Sequence, residues 1–384
     1  MIARLFDPAR TDRDANDDGR TDETKPTDGA TLTEVVEWIA RQGLISSKAR
    51  TLGEYRTTAA YWDSLVRVPL GRIGTLEVSR FVSRLGELDG RKPGETIANN
   101  TIRKHYRQLS TILDAAVEGK ILEAKHGRPR GLPREEDPIV EAIGFEQFER
   151  LVWATAKAKA PQLPGLPASL WWKCLLLYLY YTGVRIQHAR GLRWSHVDRD
   201  GGVIRAPREI QKGTKRKEIP IPRMLGPALD DLHDHRRWAQ DIPKDLQPTC
   251  LAERAAVLDA SQLVFPWFGL RPWKGTRCRP MCEHHLYRQF HALQDVAEIR
   301  SPRGAYFGFH AIRRAHGSLL ASVSSDSVAA ASLGHRPEVF RKYYDAGMVA
   351  RMSAAVDLLP RPATRPPERP ASGLLPGFDP PSKD

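Results

Sequence analysis

Apolar positions recur at three- and four-residue spacing along most of this chain, the period of an amphipathic helix. The pattern begins at "TLTEVVEWIARQGL", where Thr31 and Glu34 have the spacing of a capping box and Val35, Trp38 and Ile39 follow on one face. Further helices are predicted near 46–66, 75–86 and 98–118. The last, "NNTIRKHYRQLSTILDAAVEG", carries a stripe of Ile102, Tyr106, Leu109, Ile112, Leu113 and Ala116, with Arg103, Lys104 and Arg107 off it. Residues 31–118 therefore read as a small all-helical domain.

The pattern then lapses. "EGKILEAKHGRPRGLPREEDP" is rich in Gly, Pro and basic residues and has no apolar period, so 119–138 reads as a basic linker. Periodicity resumes in a second domain over 139–359. It opens on "IVEAIGFEQFERLVWATAKA", continues with a buried helix at 169–181, and then offers two short strand candidates, "GGVIRAP" and "KRKEIPIP", joined by a basic turn. Mainly helical sequence follows. The polar stretch 1–30 and the Pro-rich tail 360–384 are expected to be disordered. The fold class predicted is mainly α with a small β-hairpin or sheet.

Charge adds a partner to this outline. The formal net charge of the 384 residues is +13, although the first thirty hold five basic and eight acidic residues. A basic excess of this size suits a polyanion, most often nucleic acid. Arg103, Lys104 and Arg107 fit either a solvated helix face or a phosphate-binding one. Four cysteines are too few for a disulfide scaffold, which points to a reducing, cytoplasmic setting. "MIARLFDPARTDRD" lacks the apolar core of a signal peptide. "LWWKCLLLYLYYTGV" is too short to span a bilayer, so no membrane association is expected.

Two metal-like patterns fall short. Asp14, Asn16, Asp18 and Gly19 start like a calcium loop, but Lys25 stands where a bidentate Glu belongs. Cys278, Cys282, His284 and His285 in "RCRPMCEHH" lack the usual zinc spacing and a second ligand pair. Neither is assigned a metal.

Five segments of the second domain carry chemistry together. Arg185 in "YTGVRIQHARGL" follows a glycine at the end of an apolar helix, where a charge needs an anion or an exit to solvent. Lys212 and Lys215 lie in the basic turn "QKGTKRKEIPIP". His310 and Arg313 in "FHAIRRAHGSLL" are three apart and share a helix face, Arg314 and His316 being less favoured neighbours. His335 follows Leu333 and Gly334, the pattern of a tight helix turn. Tyr343 and Tyr344 come next. Taken singly, each segment also fits an ordinary structural role.

In this order, Arg, Lys, His-x-x-Arg, His and Tyr, the sequence resembles the tyrosine recombinase (phage integrase) family. The matching phrases are "TGVR", "KGTKRKEIPIP", "HAIRRAHGSLL", "LGH" and a Tyr nine residues after His335. The resemblance covers roughly 139–345; residues 31–118 resemble the family's helical core-binding (SAM-like) DNA domain in position and type only. It implies a site-specific DNA recombinase, with Arg185, Lys212, His310, Arg313, His335 and Tyr344 catalytic and Arg103, Lys104, Arg107 and Lys215 on DNA. It implies duplex DNA as partner, a homotetramer on paired sites, no cofactor, and a 3′-phosphotyrosine intermediate. A mobile-element integrase is the preferred form. A Xer-type housekeeping recombinase, a type IB topoisomerase and a non-catalytic DNA-binding relative are the alternatives. There are two departures: His188 stands where the family often has a Glu, and an insertion is expected around 236–262.

Overall fold

The computed structural model describes residues 25–90, 94–136, 140–210, 217–270 and 278–344. The chain forms two compact units that divide between Asp137 and Pro138.

The first unit contains four α-helices: α1 (Leu32–Arg41), α2 (Ala49–Leu65), α3 (Thr75–Gly86) and α4 (Asn99–Glu118). The Thr31 side chain accepts from the Glu34 amide and Glu34 reaches back to the Thr31 amide, which completes the capping box and starts α1. The core joins Val35, Val36 and Ile39 of α1 to Trp62, Phe81, Leu85, Leu109, Ile112 and Leu113. His105, on the inner side of α4, is also buried and pairs with Thr58 Oγ1 at 2.8 Å.

The segment expected as a linker lies along this unit. Leu122 is buried in its core. The Gly127 amide donates to Thr75 Oγ1 (2.8 Å) and the Arg130 amide to Ser79 Oγ (3.0 Å), while Asn99 Nδ2 donates to the Glu136 carboxylate (2.7 Å). Residues 120–136 thus form a strap across α3 and α4.

The second unit is built around α6 (Ala168–Thr182), preceded by α5 (Phe145–Ala154). Trp171, Trp172, Cys174, Leu175, Leu176, Tyr178 and Leu179 of α6 are all buried, which is why its sequence is apolar almost all round, with Lys173 left exposed. After α7 (Ile186–Gly191), β1 (Val197–Asp198), β2 (Val203–Ala206) and β3 (Lys217–Pro220) form an antiparallel sheet in the order β1-β2-β3. Ile204 pairs with Ile219, and both face the core. There follow α8 (Gly226–Asp234), α9 (Leu251–Ser261), the two-residue strands β4 (Phe268–Gly269) and β5 (Arg279–Pro280), and α10 (Glu283–Val296). The unit closes with α11 (Phe309–Val323), α12 (Asp326–Leu333) and α13 (Pro337–Tyr343), with α11 packed between α6 and α12.

The expected insertion is structured. The buried Trp238 ties it to the core, and α9 fills its second half. No helix among the described residues is long and apolar enough to cross a membrane. The calcium-like residues 14–19 and the tail 360–384 lie outside the described residues.

Candidate active site

Glycine at 183 sets the first of the expected catalytic side chains. Thr182 ends α6 and Gly183 turns the chain with φ of 60°. A Cβ there would lie 2.4 Å from His316 Cδ2 and 2.8 Å from Leu333 Cδ2, so both conformation and space require glycine. Two residues later Arg185 takes extended backbone as the N-cap of α7. Its Nη2 lies 3.3 Å from His335 Nε2.

Arg313 comes from the inner face of α11 and is only 3 % exposed. Its Nη1 donates to the Gly183 carbonyl, and its Nη2 donates to the Leu333 carbonyl at 2.6 Å. Those carbonyls end α6 and α12. Two helix C-termini, each carrying partial negative charge, thus aim a buried cation without a carboxylate. Burial, followed by the charge of Arg185, lowers the Arg313 pKa to about 10, which leaves it charged at neutral pH. Neither Arg185 nor Arg313 has a carboxylate partner among the described residues. Two cations that share His335 Nε2 make a site that attracts an anion.

The "LGH" turn supplies the third group. Gly334 has φ of 67°, and the His335 amide donates to the Ala330 carbonyl at 2.8 Å, a Schellman closure of α12. His335 Nε2 is also 3.0 Å from Arg313 Nη2. Both guanidinium groups thus meet the Nε2 edge of the His335 ring.

Tyr344 closes the group. Its amide donates to the Phe340 carbonyl (2.8 Å), and the residue is 5 % exposed. The ring stacks on His335 at 4.6 Å between centroids, and Arg313 Cζ is 5.3 Å from its centre. Its hydroxyl lies 3.1 Å from His310 Nε2. Desolvation, then the charges of Arg313, Arg314, Arg185 and His335, lower the His310 pKa to about 4. His310 is therefore neutral at neutral pH and able to accept a proton.

The tyrosine pair divides clearly. Tyr344 is buried among the cations, whereas Tyr343 is half-buried at the edge of the cluster formed by α11, α12 and α13, with Lys342 Nζ 5.4 Å from its ring. It is Tyr344, more than Tyr343, that packs inward.

Five of the six expected catalytic residues, Arg185, His310, Arg313, His335 and Tyr344, are thus brought together. Lys212 and Lys215 lie outside the described residues. Of the less favoured neighbours, His316 is tied to the Tyr180 carbonyl (2.8 Å) and Ser332 Oγ (3.0 Å), and Arg314 Nε donates to the Tyr343 carbonyl (3.2 Å). His188 is buried on the inner face of α7, its Nδ1 3.2 Å from the Tyr178 hydroxyl, so an aromatic pair occupies the place of the family's Glu.

The remaining candidates are dispersed. On α4, Arg107 is exposed and Lys104 Nζ is 3.2 Å from Glu54. Arg103 Nη1 donates to the Pro133 carbonyl (2.9 Å), so this side chain fastens the strap. Buried Cys278 donates to the Leu246 carbonyl, exposed Cys282 stands at the N-cap position of α10 without a side-chain capping bond, His284 is exposed, and His285 Nδ1 sits 3.2 Å from Met281 Sδ. Among the described residues no group of three or more His, Cys, Asp or Glu is placed to hold a metal ion.

Residues 142–347 match the phage integrase family. In structure the chain is similar to the XerH site-specific recombinase bound to a palindromic difH substrate (14 % identity, 85 % of each chain, TM-score 0.56). It is also similar to the Tn1549 transposon integrase in complex with circular intermediate DNA (15 % identity, 85 % of this chain and 99 % of that one, TM-score 0.54). A lambda integrase dimer bound to a COC′ core site matches at 16 % identity over 84 % of this chain and 77 % of that one, with TM-score 0.53. No curated relative matches the chain in sequence.

Proposed function

Because the chain belongs to the phage integrase family of tyrosine site-specific recombinases, we propose that it cleaves and rejoins duplex DNA through a covalent bond to Tyr344, in the service of a mobile element. The observation that carries this reading is the Tyr344 hydroxyl, held by a neutral His310 beside two cations that have no carboxylate partner among the described residues.

The chemistry follows from the groups present. Arg185 and Arg313 bind the non-bridging oxygens of the scissile phosphate, where charge builds in the transition state. The Tyr344 oxygen forms a bond to phosphorus while the bond to the 5′ oxygen breaks. His310 takes the phenolic proton, and Lys212 gives one to the departing 5′ oxygen. Each proton transfer contributes on the order of 10²- to 10⁴-fold. His335 orients the guanidinium groups and hydrogen-bonds the phosphate. The 3′-phosphotyrosine link conserves the bond energy, so a 5′ hydroxyl from another strand reverses the step and completes exchange. Arg107 and Lys104 of the helical unit add phosphate contacts, and the recombining species is a tetramer on paired sites.

The test uses two plasmids carrying the DNA that flanks the gene on either side. Joint molecules that require both flanks support the reading. Relaxation of a supercoiled plasmid lacking either flank, with no joint molecules, favours a type IB topoisomerase. DNA binding with no breakage favours a non-catalytic relative.

A further inference from the structure

His310, Arg314 and Ser318 are four residues apart along α11 and form one stripe on its surface. All three touch the end of α13. His310 meets the Tyr344 hydroxyl at 3.1 Å. Arg314 Nε donates to the Tyr343 carbonyl at 3.2 Å, and Ser318 Oγ donates to the Tyr344 carbonyl at 3.1 Å. The first contact is to a reacting group; the other two are to main chain.

Those carbonyls stand at the C-terminus of α13, where a helix leaves its last acceptors without internal partners. α13 has only seven residues, too few to hold its own shape. Its outer contacts therefore decide where the phenol sits. α11 can reach this backbone because Gly317 lies between the two donors: a Cβ there would come within 2.9 Å of Phe340 Cε2 on α13. Arg314 is also fixed from its other end, with Nη1 3.4 Å from the Glu141 carbonyl.

We infer that Arg314 and Ser318 are positioning residues for the reaction, a main-chain latch that keeps the Tyr344 oxygen in line with the phosphate that Arg185 and Arg313 grip. The inference rests on Tyr344 being the nucleophile. Both reach the tyrosine through the backbone that carries it, and Arg314 also adds to the charge that keeps His310 neutral. Loss of either frees one end of a short helix, and a misplacement of about 1 Å at a reacting centre costs up to roughly 100-fold in rate.

The experiment uses the full chain and a nicked duplex carrying its flanking DNA. Single-turnover adduct formation and DNA affinity are measured for Arg314→Ala, Arg314→Lys, Ser318→Ala and Ser318→Thr, with trypsin digestion of each free protein. Each alanine variant should form adduct about 10- to 100-fold more slowly, with affinity and melting temperature near wild type. Ser318→Thr, which retains the hydroxyl, should restore the rate, and Arg314→Lys should recover part of it. Trypsin should cut faster after Arg341 and Lys342 in both alanine variants. Unchanged rates, or a Thr variant no better than Ala, would overturn the latch. So would a rate that falls only in step with affinity and melting temperature. If instead the adduct survives Tyr344→Phe, it is the assignment of the nucleophile that fails. The trypsin arm then decides by itself: faster cutting in the alanine variants upholds the tie to 343–344, and unchanged cutting removes it.

Discussion

His310 Nε2 lies 3.1 Å from the Tyr344 hydroxyl, and the surrounding protein and four cationic or imidazole neighbours hold that histidine neutral. A tyrosine hydroxyl ordinarily loses its proton near pH 10, so a neutral base at hydrogen-bond distance is what the attack requires.

The first prediction concerns pH. With the His310 pKa lowered to about 4 in the free protein, the base is unprotonated well below the ordinary histidine range. A bound phosphate anion draws that value back toward the ordinary histidine range. The acid limb of adduct formation should therefore fall between about pH 4 and the unperturbed value near 6.5. A limb above 6.5 in single-turnover cleavage would show that His310 is not the group being titrated.

Stability should follow a related rule in the helical unit. Burial lowers the pKa of His105, which pairs with Thr58, to about 4. The folded value lies below the unfolded one. The stability this neutral histidine supports is thus complete above pH 6.5 and is lost as pH falls toward 4. Denaturant unfolding at pH 7 and 4.5 should show a larger acid loss in the wild type than in His105→Asn, by on the order of 2–3 kcal/mol. Equal losses would contradict this.

Gly183→Ala tests the turn that joins the two arginines. Strain at φ of 60° and the overlap with His316 and Leu333 act together. The variant should lose at least about 2 kcal/mol of stability, read as a lowered melting temperature. A wild-type melting curve with full cleavage would show the turn to be tolerant.

On α4 the three basic residues should separate. Arg107→Ala and Lys104→Ala should each lower the salt slope of DNA binding by roughly 0.9. Arg103→Ala should instead release the strap, because its guanidinium bonds the Pro133 carbonyl. Faster proteolysis between 120 and 136 would report that release. Three equal decreases in slope would mean that Arg103 also leaves the strap to meet phosphate.

Much of this arrangement is legible in the sequence where the signal is periodic or ordered. The helices of the first unit follow from apolar spacing, and the order of the motifs names Arg185, His310, Arg313, His335 and Tyr344 before any coordinates. What escapes is whatever depends on main-chain partners. The strap at 120–136 is held through backbone amides such as that of Gly127, which leave no side-chain pattern. Strands β1, β4 and β5 are two residues long, too short for alternation to register. The helix-end carbonyls that aim Arg313 come from residues 183 and 333, which no local motif links. The grip of Arg314 and Ser318 on the tyrosine backbone does have a trace, the four-residue spacing from His310, but that spacing acquires meaning only once α13 is seen against α11.

The proposed nucleophile is Tyr344 and not its neighbour. The most direct measurement traps the covalent complex on a nicked duplex carrying the flanking DNA, for wild type, Tyr343→Phe and Tyr344→Phe. The account predicts an adduct with the wild type and Tyr343→Phe, and none with Tyr344→Phe, which should still bind DNA. An adduct that persists in Tyr344→Phe and disappears in Tyr343→Phe would contradict it.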